Sequence, residues 1–444
     1  MLSSKKTLQI LKNIILVNFL LLIIFGRSFS GIYILGFRIG EIIVGLLLII
    51  SVSLIFLNYK NKFLLSDLKI TFSLFQLIVI FFLISLFVNN GKLLNTYTYK
   101  SSSYIWFISL YFLFYIFKKN NIKLIEFQKY LPYILIIVYI FSTIYYPSII
   151  KEFFSNYSDK FEFLKASDIL LIYIFTNSSN LIKFNSKLNS LAFLFISSSI
   201  LIPLFLYMSK GSFFPALLYF IVVLFLNRNT IKRFKLKTIF LVIVSSILFI
   251  ASTFEVYGNL TFEKKVLSSD EENISTILSF TDNLNSIANQ KNTTTLFGSF
   301  YFQEQRLYSK DLMLNWRLQI WQDILYESIQ NNEILLGQGY NSMIRVMDHP
   351  ERIGTDGTNE NVHNYFVNIF ARGGLFQLFL FSFLIFYFCK NIDIENRKLA
   401  IISLLCIYLT SSFDANMESV RFPFVFYILL FTIFNINKSN KVSS

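Results

Sequence analysis

The run Ile39-Gly40-Glu41-Ile42-Ile43-Val44-Gly45-Leu46-Leu47-Leu48-Ile49-Ile50-Ser51-Val52-Ser53-Leu54-Ile55-Phe56-Leu57 decides the class of fold. Its only charged residue is Glu41, which stands at the start. As an α-helix, the run is long enough to cross the hydrocarbon core of a bilayer, which is about 30 Å thick. It therefore predicts a transmembrane helix.

Similar runs recur along the whole chain. Of its 444 residues, 55% are hydrophobic and only 15% are charged, a composition that excludes a soluble enzyme, a secreted disulfide scaffold and a disordered protein. We predict an all-α polytopic membrane protein with about twelve transmembrane helices and one large periplasmic loop. The apolar runs lie at 8–25, 39–57, 69–88, 103–117, 131–150, 168–182, 190–208, 212–227, 237–254, 364–388, 399–412 and 421–436. The weakest is 168–182, which polar residues interrupt.

The net charge of +14 raises the question of a nucleic-acid partner. With twelve spans and the N-terminus inside, however, the inner loops hold more than half of the Lys and Arg residues, with the densest cluster at 227–237. This distribution follows the positive-inside rule. It predicts a membrane protein with both termini in the cytoplasm and no nucleic-acid partner. In a bacterium, this membrane would be the inner membrane.

One loop is far longer than the others. The chain divides into residues 1–254 with spans one to nine, residues 255–363 as a large periplasmic loop with short helices, and residues 364–444 with spans ten to twelve and a short cytoplasmic tail. Within the loop, the spacing of apolar residues over 311–325 predicts an amphipathic helix, and a short helix is expected near 271–288. Gly337 and Gly339 are interpreted as turn glycines, because the strand that a phosphate-binding loop needs is missing.

Several short motifs occur here in a characteristic order. They are Met208-Ser209-Lys210-Gly211-Ser212, Arg317-x-x-x-Trp321, Leu336-Gly337-Gln338-Gly339, His363-Asn364, Arg372-Gly373-Gly374-Leu375 and Asp414-Ala415-Asn416-Met417-Glu418. Together with the long loop, they resemble the O-antigen ligase and polymerase superfamily over about residues 190–436. Lys210 departs from the pattern, because the family usually has Arg at this turn.

The resemblance implies an enzyme: a metal-independent, inverting glycosyltransferase of lipopolysaccharide biosynthesis that needs no cofactor. Its donor would be an oligosaccharide on undecaprenyl diphosphate. The acceptor would be a second lipid-linked repeat unit for a polymerase, or lipid A–core for a ligase. Besides the bilayer, the expected partners are a chain-length regulator or other O-antigen assembly proteins. We favour the polymerase, because Lys210 and the Asn- and Ser-rich loop depart from the ligase pattern.

The site residues follow from the charge of the leaving group. Without a metal, cations must stabilise the departing diphosphate, and Arg317, Lys210, Arg372 and Arg38 are the candidates. His363 is the candidate for activating the acceptor hydroxyl, since imidazole titrates in the useful range. The predicted catalytic residues are therefore His363 and Arg317.

Asn364, Glu418 and Trp321 are predicted to support the acceptor. Each candidate also has a structural interpretation. Asn364 fits a helix N-cap, Trp321 fits a membrane-interface anchor, and Arg38 fits an ion pair with Glu41. The second histidine, His349, is interpreted as a loop residue. No residues are predicted to bind a metal.

A flippase for lipid-linked oligosaccharides is the rival from another class. It would also have twelve spans and boundary cations. It predicts short loops on both sides and polar residues near the mid-plane of several spans, whereas the polar residues here gather beside the long outer loop. The sugar, the linkage and the oligomeric state stay open.

Overall fold

The computed structural model describes residues 5–60, 65–93, 95–122, 129–159, 161–183, 187–257, 300–303, 305–349, 352 and 360–434. These residues are mostly helical, with two short β-hairpins. The helices are α1 (Lys5–Ser30), α2 (Ile39–Lys60), α3 (Lys69–Val88), α4 (Thr96–Trp106), α5 (Ile108–Lys119), α6 (Leu131–Thr143), α7 (Ser148–Tyr157), α8 (Ala166–Lys183), α9 (Lys187–Met208), α10 (Lys210–Leu226), α11 (Arg228–Arg233), α12 (Lys235–Tyr257), α13 (Leu312–Gln330), α14 (Tyr365–Lys390), α15 (Ile394–Ser411) and α16 (Arg421–Phe434). The hairpins pair β1 (Tyr33–Ile34) with β2 (Phe37–Arg38) and β3 (Phe300–Gln303) with β4 (Arg306–Ser309).

Each predicted apolar run coincides with a helix or with a broken pair of helices. Among the described residues, six helices are long and apolar enough to cross a membrane, and the bent pair α6–α7 would make a seventh. The six are α1, α2, α3 with the short helical turn before it, α9, α12 and α14, while α10 and α16 are apolar but shorter. The all-α membrane class is thus supported, and the count of twelve spans stays a prediction. The helix expected near 271–288 lies outside the described residues.

The long and short helices occupy different places in the bundle. Only 17% of the apolar window of α12 is buried, and residues such as Phe240, Ile243 and Phe254 face outward. Such an extended apolar face suits hydrocarbon. In contrast, α16 is buried along its whole length and packs against α1, α5 and α8. A helix that is apolar on all sides belongs in the interior.

The polar segment that weakened the prediction at 168–182 is buried inside the protein. The Asn177 amide donates to Ser197 Oγ at 3.2 Å, and the Ser178 and Tyr219 hydroxyls are 2.8 Å apart. Polar side chains are tolerated within a membrane bundle when they face other helices and bond across them. The segment therefore continues as helix α8.

The run 131–150, predicted as one span, is bent. Helices α6 and α7 meet at 81°, with Pro147 as the N-cap of α7. Proline lacks an N–H and disfavours helical geometry in the residue before it, which explains the break at this position. Because α7 is nearly perpendicular to α6, it is oriented to follow the membrane plane if α6 crosses the membrane.

Candidate functional site

Helix α13 carries Arg317 and is fixed at its first turn. The Asp311 Oδ1 atom caps the helix by accepting a hydrogen bond from the Leu314 N–H at 3.0 Å. The Asp311 Oδ2 atom lies 3.0 Å from Lys210 Nζ at the start of α10. The amphipathic helix predicted over 311–325 is confirmed, and its capping residue joins two of the predicted cation-bearing elements.

The two glycine-containing motifs, 336–339 and 372–375, contact each other in the fold. Helix α14 is broken at Gly374, where φ is 67° and ψ is −169°. The break leaves two carbonyls for other donors: Ala371 O accepts from the Gln338 N–H at 2.8 Å, and Arg372 O accepts from the Gly339 N–H at 3.1 Å. The segment 334–340 thus binds along the broken helix by its backbone.

This backbone contact explains why glycines are needed on both sides. A Cβ on Gly337 would lie 2.4 Å from the Arg372 carbonyl carbon, and one on Gly374 would lie 2.2 Å from the Leu335 carbonyl. Gly337 and Gly339 also have φ values of +69° and +92°, where side chains are disfavoured. The interpretation as turn glycines is confirmed, and the missing side chains let segment 334–340 approach α14.

His363 precedes α14 and is held by its neighbours. The Asn364 side chain caps α14 by accepting from the Phe366 and Val367 N–H groups. On the other side, the Trp321 indole N–H donates to Val362 O at 2.8 Å. The capping interpretation of Asn364 is confirmed, and two of the three predicted supporting residues, Asn364 and Trp321, fix the backbone around the imidazole.

Arg317 and His363 are brought together. The ring of Trp316, the residue before Arg317, packs edge-on against the imidazole with centroids 5.5 Å apart. Burial, and after it the positive charge of Arg317, lower the pKa of His363 to about 4, although Asp414 opposes the shift. Burial also lowers the pKa of Arg317, although Asp414 and Asp311 act in the other direction. The imidazole is therefore neutral at physiological pH, within electrostatic reach of the Arg317 guanidinium.

Each of these two side chains has a buried polar atom with no protein partner. Arg317 Nε and His363 Nδ1 have no hydrogen bond within the described part of the chain. Such groups are costly to bury unless something else satisfies them. The pair is therefore open to a ligand that accepts from the guanidinium and bonds to the imidazole.

Asp414 and Glu418 complete the surroundings on the segment between α15 and α16. Asp414 Oδ2 accepts from Ser167 Oγ at 2.9 Å, and its charge reaches both Arg317 and His363. Burial raises the pKa of Glu418 to about 8, although nearby Arg372 counteracts the shift. The sequence argument assigned a role to Glu418 and missed Asp414, which lies four residues earlier in the same motif.

Arg372 lies in the interior beside the broken part of α14 and is only 4% exposed. Its Nη1 donates to Ser342 O at 3.1 Å, its Nη2 to the Tyr97 hydroxyl at 3.3 Å, and its Nε to Asn368. The guanidinium also lies over the Tyr97 ring. It ties the backbone at Ser342 to α4 and α14.

Arg38 lies in β2, with its guanidinium 3.5 Å from Asp159. Glu41 accepts from the backbone N–H of Arg38, so the cation's acidic partner is Asp159 and not Glu41. The other histidine, His349, lines a separate polar cavity of about 670 Å³ with Glu327 and Arg345.

Sequence reasoning overlooked a set of ion pairs beside the site. Arg421 Nε lies 2.8 Å from Asp168, and Arg421 also approaches Glu162. Glu162 in turn contacts Arg27 and Lys165. Arg421 begins an apolar run, where a charge is costly unless it is paired, and this signal could have identified it. No group of three or more His, Cys, Asp or Glu side chains that could hold a metal occurs in the described ranges.

These features define a membrane protein with a cationic, histidine-containing site where several helix ends meet. Residues 192–382 match the family model described as O-antigen ligase, which confirms the resemblance to the O-antigen ligase and polymerase superfamily. The matched region includes Lys210, Arg317, His363 and Arg372, while Arg38 and the 414–418 segment lie outside it. No curated protein matches the chain.

Proposed function

We propose that the protein is a glycosyltransferase that polymerises O-antigen repeat units on undecaprenyl diphosphate at the periplasmic face of the inner membrane. One observation carries the proposal: the charge of Arg317 reaches His363, and both Arg317 Nε and His363 Nδ1 are buried with no hydrogen-bond partner among the residues that the structure describes. A guanidinium next to a neutral imidazole can serve a leaving anion and an attacking hydroxyl at the same time.

Arg317 stabilises the departing diphosphate. Guanidinium groups bind phosphate oxygens in a bidentate manner, and the interaction is strengthened where water is excluded. Lys210 assists from the start of α10, where it is more than half exposed and paired with Asp311. A diphosphate that displaces Asp311 from Lys210 would gain a second cation without moving α13.

His363 receives the proton of the acceptor. The acceptor hydroxyl oxygen attacks the anomeric carbon, the bond from that carbon to the diphosphate oxygen breaks, and the hydroxyl proton passes to the imidazole. Direct displacement inverts the configuration at the anomeric carbon. The negative diphosphate offsets the charge of Arg317, so the pKa of His363 rises in the complex and proton transfer becomes easier.

Arg372 serves the reaction through position rather than by touching the diphosphate. Its three polar partners are the Tyr97 hydroxyl of α4, the Ser342 carbonyl and the Asn368 side chain of its own helix. Together with the glycine contacts, it keeps the broken start of α14, and hence His363, in place.

An O-antigen ligase is the second candidate, and the printed description of the matching family favours it. The two differ in their acceptor only. A strain lacking the protein distinguishes them: single repeat units on lipid A–core indicate a lost polymerase, whereas long lipid-linked chains with bare core indicate a lost ligase.

Complementation of that strain tests the mechanism. Arg317→Gln and His363→Asn should fail to restore the glycan pattern while the proteins accumulate in the membrane. Arg345→Gln and His349→Asn are matched controls, because these residues line the separate polar cavity, and they should restore it. Full complementation by Arg317→Gln and His363→Asn would reject the proposal.

A further inference from the structure

A second cationic site lies between α1, β2 and α7. Arg27 and Arg38 share one carboxylate oxygen, Asp159 Oδ2, at 3.7 and 3.5 Å. Their side chains are 40% and 41% exposed. We call these two residues the outer arginine pair. The shared carboxylate can balance only one of the two guanidinium charges.

The backbone fixes the shared carboxylate. The Asp159 N–H donates to Gly31 O at 3.0 Å, and Ile32 pairs with Ser158 as an isolated antiparallel bridge. A Cβ on Gly31 would lie 2.0 Å from Asp159 Oδ1. The arginines are therefore held by the join between the first hairpin and the end of α7.

Carboxylates next to the pair balance part of its charge. Glu162 lies 3.6 Å from Arg27, but it is shared with Lys165 and Arg421, and the charge of Glu41 reaches Arg38. The two arginine side chains are 40% and 41% exposed, whereas those of Asp159 and Glu162 are 14% and 22% exposed. The guanidiniums are therefore the more accessible groups, and exposed guanidiniums are suited to phosphate.

An exposed apolar surface adjoins the pair. Tyr33, Ile34, Leu35 and Phe37 at the tip of the first hairpin are all exposed, and Leu35 reaches 96%. Helix α7 also exposes three residues at a spacing of four, namely Ile149, Phe153 and Tyr157. The hairpin and α7 are joined through the Ile32–Ser158 bridge. Arginines beside an apolar surface match a lipid with an anionic headgroup.

We propose that the outer arginine pair binds the diphosphate of a second polyprenyl diphosphate lipid, the acceptor substrate, with its isoprenoid chain along the hairpin tip and α7. This rests on the proposed function, because a polymerase joins two lipid-linked glycans. The donor loses its diphosphate at Arg317, whereas the acceptor must keep its own diphosphate at another place. The role of Arg38 thereby changes from donor binding to acceptor binding.

The position of the pair suits this assignment. From Arg27, the ion pairs continue through Glu162 to Arg421 and Lys165. The charge of Lys165 reaches His363. An acceptor anchored at the outer arginine pair can therefore extend its glycan toward the imidazole.

Binding stoichiometry tests the proposal directly. Native mass spectrometry of the full chain in lipid nanodiscs, with undecaprenyl diphosphate as the probe, should show two bound lipids for the wild type. One should remain in the double variant Arg27→Gln/Arg38→Gln and one in Arg317→Gln, while the control Arg345→Gln should bind two. A single bound lipid in the wild type, or two in the double variant, would overturn the proposal.

A second variant distinguishes the loss of lipid binding from misfolding. Leu35 is almost fully exposed, so Leu35→Asp leaves the interior intact and should still weaken binding of the second lipid. In a two-substrate assay, the double arginine variant should raise KM for the acceptor about tenfold through lost charge-assisted hydrogen bonds, without raising KM for the donor. A raised donor KM, or displacement of the second lipid by phosphorylated lipid A–core alone, would refute it. Failure of the proposed function would be recognised separately, because Arg317→Gln would then keep wild-type activity.

Discussion

The Trp321 indole N–H donates a hydrogen bond to the carbonyl of Val362 at 2.8 Å. Trp321 lies one helical turn after Arg317, and Val362 directly precedes His363. A single bond therefore couples the helix that carries the proposed diphosphate-binding cation to the backbone of the proposed base. The relative position of the two groups is set by this bond, together with the cap of α14.

Trp321→Phe removes this bond while keeping an aromatic ring. Loss of one hydrogen bond of about 1 kcal/mol corresponds to a fall in kcat of roughly two- to tenfold. KM for the donor should change less, because Arg317 is untouched. Trp106→Phe is the matched control, since Trp106 donates only to Ser102 within α4. Equal kcat values for the two variants would contradict a positioning role for Trp321.

Gly374→Ala should destabilise the protein more than Gly36→Ala or Gly45→Ala. Its φ is positive and a Cβ would meet the Leu335 carbonyl. Gly36→Ala has the positive φ without any neighbour, and Gly45→Ala has neither constraint. Strain of this kind costs about 1–3 kcal/mol, and the contact adds to it at Gly374. Melting temperatures in detergent should fall in the order Gly45→Ala, Gly36→Ala, Gly374→Ala; a Gly374→Ala value equal to that of Gly36→Ala would argue against the close backbone contact.

His363 should titrate abnormally. Because burial and the charge of Arg317 lower its pKa to about 4, the imidazole is neutral above that pH. Arg317→Gln removes a positive neighbour, so the pKa should rise, while Lys165 and Asp414 keep their opposing influences. Histidine NMR measures the pKa of His363 directly on a His349→Asn background, because His363 is then the only histidine of the sequence. An unchanged or lower pKa in Arg317→Gln would show that the two side chains do not interact.

Glu418 should make the folded state less stable in alkali. Burial raises its pKa from the model-peptide range to about 8, so the folded protein retains a proton that the unfolded chain releases near pH 4.5. That contribution is complete below pH 4.5 and is lost as the pH rises toward 8. Glu418→Gln should therefore flatten the fall in melting temperature between pH 5 and pH 9. If the wild type and Glu418→Gln lose stability in parallel as the pH rises, the prediction of a raised pKa for Glu418 is wrong.

The sequence predicted the helical membrane class. The order of its motifs also identified Arg317 and His363 as candidate site residues. Local rules also explain details such as the break at Pro147. The ion pairs could not be predicted from the sequence, because Arg421 and Asp168 are 253 positions apart and no periodicity links them. Likewise, the glycines of the 336–339 motif were recognised as turn residues, but their contact with the broken start of α14 depends on how two distant segments pack.

The measurement that tests the central claim most directly is glycosyl transfer by purified protein in proteoliposomes, with a synthetic polyprenyl diphosphate oligosaccharide as both donor and acceptor. The wild type, Arg345→Gln and His349→Asn should extend the glycan. Arg317→Gln and His363→Asn should each lower the rate by at least about a hundredfold, as expected for loss of transition-state charge stabilisation or of a general base. Extension at the wild-type rate by either of these two variants would contradict the account.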